Sequence, residues 1–498
     1  MVISSWTPVT AEDVCSHSER AAGGSIFVCI KGTAQDGCTY LEEVWRRGCR
    51  CFVVDRRSCI EKLKGISDAA EQACVVLVAD CRKAYALLCR NLFDKPDEKL
   101  CMIGITGTKG KTTVASFIYQ ELCAAGIAAG QMGTCGARWK AHQEQLLCTT
   151  PDARVLYELL SRMEQDGVTH VVMEVSSQAL KQKRVSGIIY EAGVFTNLYP
   201  DHISDTEHAD MEEYYYWKSQ LFEVCRSAVI PHPASSQAAA RLYNTYKARM
   251  PVYFADAEQD SQEEQDSHRL CTLAEPVSYT RHAQRPVQQL RLKLASGTEV
   301  RHVLEMPGTF QICNDLFAVT VLCALKLPVR EYMHLKPVSG RMECICVCRG
   351  ACFYVDYAHN AEALQEALMS LRCFDPNRLI CVFGCGGNRS RLRRGPMGRV
   401  STTYADYTII TEDNSRNEKF PDICRDIVGG IEPEHRAFEI IEDRALAIKR
   451  AVELSEPGDI VIIAGKGHED YMEKNGERIA FSDAKEVKKY VRICKYHH

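Results

Sequence analysis

The chain has 498 residues, 46% hydrophobic and 25% charged, with a formal net charge of −4. That length predicts about three domains, each able to bury its own core. The near-balanced charge excludes a general nucleic-acid or anionic-membrane binder, and no apolar run approaches the ~20 residues of a membrane span.

The opening "MVISSWTPVTAEDV" lacks a basic n-region followed by an apolar core, so no export signal is expected and the protein is expected to be cytoplasmic. Residues 1–95 mix short strands, in "GSIFVCIKG", "CRCFVVD" and "ACVVLVAD", with helices, and "FDKPDEK" closes them as a hinge. Residues 96–335 alternate strand and helix through "THVVMEVSS" and "EAGVFTNL", and "GTFQICNDLFAVTVLCALKL" reads as a helix. Between 231 and 300 the pattern is less readable, and "DAEQDSQEEQDSH" reads as a polar surface loop. Residues 336–498 alternate again through "ACFYVDYAHN", "RLICVFGCGG", "DYTIITED" and "DIVIIAGKG". Strands alternating with helices predict mainly parallel sheets covered on both faces. The expected fold is three consecutive α/β domains, with a phosphate-loop-type sheet in the central one and a Rossmann-like last one. The 26 cysteines are scattered without C-x-x-C spacing and read as reduced and structural. In "ECICVCRG", Cys344, Cys346 and Cys348 alternate as on one face of a strand.

The stretch "KLCMIGITGTKGKTTVAS" places a glycine turn between an apolar strand and a helical pattern. A common phosphate loop has glycine five positions before its Gly-Lys pair, and Ile105 stands there. Gly107, Thr108, Lys109, Gly110, Lys111, Thr112 and Thr113 nevertheless aim backbone N–H groups and a helix N-terminus at one spot. Lys111 adds a point charge, and the Thr112 hydroxyl suits Mg²⁺. The loop is expected to bind nucleotide phosphates.

Sites in parallel sheets lie beyond the C-terminal strand ends. Glu174, Ser176 and Ser177 follow one strand, and Thr196, Asn197, Asp201 and His202 follow another. Glu174 and His202 beside a phosphate loop suit a second Mg²⁺. In the last segment Asp356, His359 and Asn360 suit a ribose and base, while Lys466, His468 and Glu469 follow a further strand. "GCGGNRSRLRRGPMG" sets Arg389, Arg391, Arg393 and Arg394 beside glycines, which favours an anion site. An ATP loop in one domain and anion loops in another imply closure around substrates.

"TGTKGKTT", "MEVSSQAL", "GVFTNLYPDH", "GRME", "DYAHN", "VFGCGGNR", "TEDNSR" and "AGKGHEDY" come in the order found in the Mur ligases. The chain resembles that family over nearly its whole length, and its MurE type most closely. The compressed phosphate-loop spacing is the version this family and its folate relatives carry. The resemblance implies an ATP-dependent amide-bond-forming ligase of peptidoglycan precursor synthesis. ATP would phosphorylate the side-chain carboxyl of D-Glu in UDP-MurNAc-L-Ala-D-Glu, and the amine of a diamino acid would displace phosphate. The implied cofactors are Mg²⁺ and a CO₂-derived carbamate on Lys218, which with Thr112, Glu174 and His202 would hold the metal. Lys111, Lys218, Glu174 and His202 would form the catalytic set.

By the same resemblance Ser18, Thr149, Thr150, Ser176, Gln182 and Arg184 would hold the UDP-muramoyl dipeptide. Asn314 and Arg341 would sit near the ATP, together with Asp356, His359 and Asn360. Arg389, Asp413, Asn414, Ser415, Arg416, Gly465 and Glu469 would form the amino-acid pocket. The implied domains are a UDP-sugar-binding one at 1–95, an ATP-binding one at 96–335 and an amino-acid-binding one at 336–498. The implied partners are small molecules only, with no nucleic acid and no membrane, and the chain is expected to be a monomer.

Arg416 suits the distal carboxylate of meso-diaminopimelate, because an arginine fork matches a carboxylate in bidentate fashion. Ser415, however, replaces the family's proline and no longer fixes φ, so L-ornithine and L-lysine stay open as acceptors. Gln311, Ala361, "GTAQDG" and "PHPA" are further departures from the family pattern. A folylpolyglutamate synthetase-like ligase would carry its phosphate loop near the N-terminus, whereas about a hundred residues precede it here. A GTPase would show Asn-Lys-x-Asp, and no Asn-Lys pair occurs.

Overall fold

The computed structural model describes residues 11–32, 35–66, 69–200, 207–255, 268–275, 277–282, 285–432, 434 and 437–496. These divide into two compact units. The first holds the described residues within Met1–Asp256, Gln265–Leu270 and Phe317–Val329; the second holds those within Cys271–Leu316 and Arg330–His498.

The first unit contains two sheets. A four-stranded parallel sheet runs in the order β1 (Asp13–Cys15), β2 (Ser25–Val28), β3 (Cys51–Val54) and β4 (Cys74–Leu77). The last three coincide with the expected strands; β1 is too short to show a period. The helix Cys81–Leu92, capped by Asp80, returns from this sheet. Its Tyr85, Ala86 and Cys89 share a core with Leu156, Tyr157 and Leu160 of the helix Ala153–Gln165. Tyr85 Oη also donates to Asp152 at 3.0 Å.

The second sheet follows from β5 (Cys101–Thr106), β6 (Ala129–Gly133), β7 (Gly136–Trp139), β8 (His142–Glu144), β9 (His170–Glu174), β10 (Ala192–Phe195), β11 (Ala228–Ile230) and β12 (Val252–Phe254). Their spatial order is β12-β11-β10-β5-β9-β6-β7-β8, parallel up to β6 and antiparallel beyond. Near-continuous apolar runs suit strands covered on both faces. Thus Met102, Ile103 and Ile105 of β5 and Val171, Val172 and Met173 of β9 are all fully buried. β5 lies between β9 and β10, so the chain leaves it toward opposite sides. The crevice above such a strand is where α/β sheets take ligands.

The second unit also has two main sheets. β13 (Cys271–Leu273), β14 (Ser278–His282), β15 (Arg285–Leu294), β16 (Glu299–Leu304) and β17 (Tyr332–Leu335) form one, mostly antiparallel. This is part of the stretch whose pattern was unreadable. Its long strand β15 alternates charged and apolar residues only in its second half. The other sheet comprises β18 (Glu343–Cys348), β19 (Ala351–Asp356), β20 (Leu379–Phe383), β21 (Tyr407–Ile410), β22 (Phe438–Ile440) and β23 (Ile460–Ala464). Its order is β18-β19-β23-β20-β21-β22, parallel except for β18. A hairpin, β24 (Tyr471–Lys474) and β25 (Glu477–Ala480), follows.

Two expectations about cysteine need correction. Cys38 and Cys59 are joined as a disulfide with Cα atoms 5.6 Å apart, so the cysteines are not all free thiols. They meet because the helix Arg57–Lys64 packs Cys59 into the same small core as Cys38. The alternation of Cys344, Cys346 and Cys348 is also broken, by a register shift between Cys344 and Cys346. Elsewhere burial makes cysteine a small apolar residue and pushes its thiol up, to about 11 at Cys101 and about 12 at Cys381.

Candidate active site

In the first unit three strand ends converge on the loop after β5. Gly107 has φ +146°, and a Cβ there would overlap the Thr196 hydroxyl, so only glycine fits. Gly110, also left-handed, caps the helix Lys111–Ala124. From the end of β10, Thr196 Oγ1 donates to the Lys109 carbonyl at 2.7 Å. Asn197 accepts from the Lys109 N–H at 2.9 Å and donates back to its carbonyl at 3.1 Å. These bonds tie the loop to the residues that follow β10. Lys111 Nζ lies 2.8 Å from the Gly107 carbonyl and 2.9 Å from that of Thr108.

Glu174 ends β9 and is 1% exposed. Burying a carboxylate is costly unless donors surround it, and three do. Thr134 N–H donates to Oε1 at 2.8 Å, Thr112 Oγ1 to Oε2 at 3.0 Å, and Thr134 Oγ1 to Oε2 at 3.2 Å. The carboxylate fills the space in which Gly133 would carry a side chain. Gly133 and Thr134 carry no motif, and sequence reasoning missed both. Hydroxyl and carboxylate oxygens are the hard donors that Mg²⁺ prefers, so Thr112 and Glu174 fit that ion.

Lys218 sits on the helix Met211–Ser219, whose N-cap is Asp210. Its amine is fully buried, donates to the Gly107 carbonyl at 2.7 Å and lies 4.3 Å over the Tyr214 ring. His208 is buried beside it, bonded through Nε2 to Ser177 Oγ at 2.9 Å, and burial holds its imidazole below the ordinary range. His202 and Asp201 lie outside the described residues.

The residues expected to hold the muramoyl dipeptide also come together. Thr150 Oγ1 donates to the Glu174 carbonyl at 3.0 Å and accepts from the Ser176 N–H at 3.0 Å. Thr149 Oγ1 lies 3.1 Å from Thr134 Oγ1. Arg184 donates to the Thr150 carbonyl at 2.7 Å and to Gln182 Oε1 at 2.6 Å. Ser18 opens a short 3₁₀ turn just after β1, half-buried, and no hydrogen bond joins it to this cluster among the described residues.

In the second unit the loops after β19, β20, β21 and β23 carry most of the remaining residues, while Asn314 lies on the helix Thr309–Ala324 and Arg341 just before β18. Asp356 accepts from the Met342 and Ala358 N–H groups at 2.7 and 2.8 Å. Burial nevertheless holds its carboxyl above the usual range, against the pull of Arg341. Arg341 lies 4.6 Å over the Tyr357 ring. His359 is exposed and bonded to the Tyr357 carbonyl, while Asn360 caps the helix Ala361–Arg372. Asn314 is buried and donates to Gln311 Oε1 at 3.0 Å.

Asp413, Asn414 and Ser415 are buried after β21 and Arg416 is half-buried. Asn414 donates to Glu469 Oε2 at 2.9 Å, and the buried Lys466 donates to Asn414 Oδ1 and Glu469 Oε2, each at 3.0 Å. A Cβ on Gly465 would overlap the Asp413 carboxylate. Arg389 is exposed in the loop after β20. Sequence reasoning missed Arg444, which is fully buried. It pairs with Asp483 at 2.7 and 2.8 Å and donates to the Glu412 and Ala464 carbonyls at 3.3 and 2.9 Å. One guanidinium thus anchors both loops, and no local pattern announces it.

A preformed phosphate loop with a buried, fully donated acid beside it defines a nucleotide-binding α/β enzyme. Family comparisons narrow that class. Residues 105–322 match the Mur ligase middle domain and residues 340–467 the Mur ligase glutamate ligase domain. UDP-N-acetylmuramoyl-L-alanyl-D-glutamate–2,6-diaminopimelate ligase 2 of Clostridium acetobutylicum is 32% identical over 486 residues, covering 96% of this chain and 95% of its own. The ligase of that name from Chlorobium phaeobacteroides is 36% identical over 496 residues, covering 96% and 92%. A solved structure of a 2,6-diaminopimelate ligase aligns with a TM-score of 0.67 at 26% identity, covering 100% of this chain and 98% of that one. The chain belongs to the Mur ligase family, the ATP-dependent ligases that form amide bonds.

Proposed function

We propose that this enzyme joins meso-diaminopimelate to the D-glutamyl side-chain carboxyl of UDP-N-acetylmuramoyl-L-alanyl-D-glutamate at the expense of ATP. One observation carries the reading: the three-donor cluster of Thr112, Thr134 and Glu174 beside the phosphate loop, joined through the Glu174 carbonyl to Thr150, Ser176 and Arg184. It is supported by relatives of 32–36% identity named for this reaction.

A carboxylate is no electrophile until one oxygen becomes a leaving group. A carboxylate oxygen attacks the γ-phosphorus of ATP, ADP departs, and an acyl phosphate forms. The amine nitrogen of the diamino acid then attacks the acyl carbon, phosphate leaves, and the nitrogen sheds a proton. Lys111 and the N–H groups of the loop stabilise charge on the transferring phosphoryl. Mg²⁺, held by Thr112 and Glu174 and with His202 and Lys218 in the proposal, would offset repulsion among phosphates and carboxylate. Lys218 is proposed to carry a carbamate, whose negative oxygens would suit that ion. Asp356, Arg341, His359, Asn360 and Asn314 are proposed to serve ATP, and Ser18 the uridine end. Arg389, Asp413–Arg416, Gly465 and Glu469 are proposed to bind the incoming amino acid. The three-domain division at residues 95 and 335, a monomeric state and a cytoplasmic location belong to the same proposal. No described helix is long and apolar enough to cross a membrane.

One observation favours a second acceptor reading, L-ornithine or L-lysine. Arg416 already has the Glu473 carboxylate as a partner, which offsets charge that a bare ammonium would otherwise meet. Phosphate release tests the proposal, measured with the UDP-muramoyl dipeptide and each of the three diamino acids. Release that requires the dipeptide and is fastest with diaminopimelate is expected; release independent of the dipeptide overturns the reading.

A further inference from the structure

Arg416 has φ +52°, a left-handed conformation uncommon for any residue but glycine and held here by its surroundings. Ser415 before it imposes no ring restraint. The restraint comes instead from the β24–β25 hairpin, 57 residues on. The Arg416 N–H donates to the Glu473 carbonyl at 2.9 Å, and the Asn475 N–H donates to the Arg416 carbonyl at 2.6 Å. Both peptide groups flanking the left-handed residue are therefore tied to one hairpin. The Glu473 N–H donates to Asn414 Oδ1 at 2.9 Å, and Lys474 reaches Glu412 Oε2 at 3.0 Å. Arg416 Nε donates to Glu473 Oε2 at 3.2 Å and its Nη1 to the Gly387 carbonyl at 2.7 Å. These two bonds engage Nε and Nη1 and leave Nη2 over. The N–H bonds of Nη2 have no hydrogen-bond partner among the described residues.

We propose that Glu473 is a specificity-determining positioning residue, which orients Arg416 so that its free Nη2 meets the distal carboxylate of the diamino acid. This rests on the acceptor reading given above. Glu473 does the work that a rigid residue at position 415 would do, but from across the loop and through a charge. It holds the guanidinium at Nε, where an unrestrained arginine would swing into solvent. It need not touch substrate.

The test is steady-state kinetics of Glu473→Ala and Glu473→Gln, with Ser415→Pro added to the alanine variant. Glu473→Ala keeps the backbone bonds and loses only the carboxylate. Its KM for diaminopimelate is expected to rise about tenfold or more, the worth of a charged hydrogen bond. Its kcat, and KM for ATP and for the muramoyl dipeptide, are expected to stay within about twofold. Glu473→Gln, whose amide oxygen still accepts from Arg416, is expected to fall between. Ser415→Pro is expected to recover most of the loss by stiffening the loop. An unchanged KM for diaminopimelate in a folded alanine variant overturns the inference. So does a loss shared by all three substrates together with a lowered melting temperature, the mark of a merely structural residue. A wild type that prefers lysine or ornithine overturns the acceptor reading, and with it this assignment; that shows before any variant is made.

Discussion

Two lysine amines, from positions 111 and 218, reach the same Gly107 carbonyl. Their chemistry need not be alike. Lys111 opens the helix at the phosphate loop, where its point charge is proposed to act on a transferring phosphoryl. Replacing it by alanine is expected to cut ligation by on the order of 10²–10³ or more with the fold intact. Phosphate release beside a melting curve checks this, and near-normal turnover would remove the loop from the mechanism. Lys218 is fully buried against Tyr214, which suits a group that is modified and held rather than one that meets solvent. Lys218→Ala is expected to be nearly inactive, and added short-chain carboxylates to restore part of the rate by standing in for the proposed carbamate. Full activity of the alanine variant would exclude that role.

The helix Met211–Ser219 that carries Lys218 is pinned at its start. The Lys181 ammonium, with help from the Ala209 N–H and the Trp217 indole, holds the Glu213 carboxyl down to about 2. A carboxyl depressed on folding stabilises the fold above its ordinary value of 4.5, and that stabilisation is lost as pH falls from there toward 2. Glu213→Gln is therefore expected to melt below the wild type at neutral pH and level with it near pH 2. A gap that stays constant across that range would show that Glu213 acts by packing alone. Gly133 ends β6 against Glu174. Gly133→Ala is expected to push the carboxylate off its donors and cost most of the activity, measured as phosphate release at saturating substrates. What the sequence disclosed at this scale follows from distance along the chain. The loop after β5 and the acid at the end of β9 sit beside apolar strands that any periodicity reveals. Thr134 meets Glu174 from 40 residues away and Arg444 meets Asp483 from 39. Such bonds leave no local trace. Nor does β15, whose pairing with three strands rests on neighbours rather than on its own alternation.

Across the whole molecule, the fold class was legible because alternation of strand and helix was. The mostly antiparallel β13–β17 sheet was not, since short strands of mixed polarity resemble loops. The motifs marked the ends of β5, β9, β10, β19, β20, β21 and β23, but not β1 before Ser18 or β8 before Thr149. Acceptor choice is a property of the complete enzyme. In competition, diaminopimelate is expected to be used ahead of ornithine and lysine, and Arg416→Ala to narrow that preference. Product masses from a mixture of the three give the answer directly. A preference for lysine or ornithine, with diaminopimelate use untouched by Arg416→Ala, would reverse it.

Asp483 begins the helix Asp483–Tyr496, and its carboxylate is the acid partner of the fully buried Arg444. That bond gives this helix an importance that no motif in it announces. A nonsense codon at 483 would spare every residue assigned to ATP, the muramoyl dipeptide or the amino acid. It would also leave a guanidinium sealed in the interior without its counter-charge, a loss of about 3–5 kcal/mol from a fold that typically has only ~5–15 to spare. Truncated alleles of this gene are thus expected to be null even when the deletion begins beyond the final catalytic motif, and a degradation tag or reporter fused in place of that helix would silence the enzyme it was meant to report.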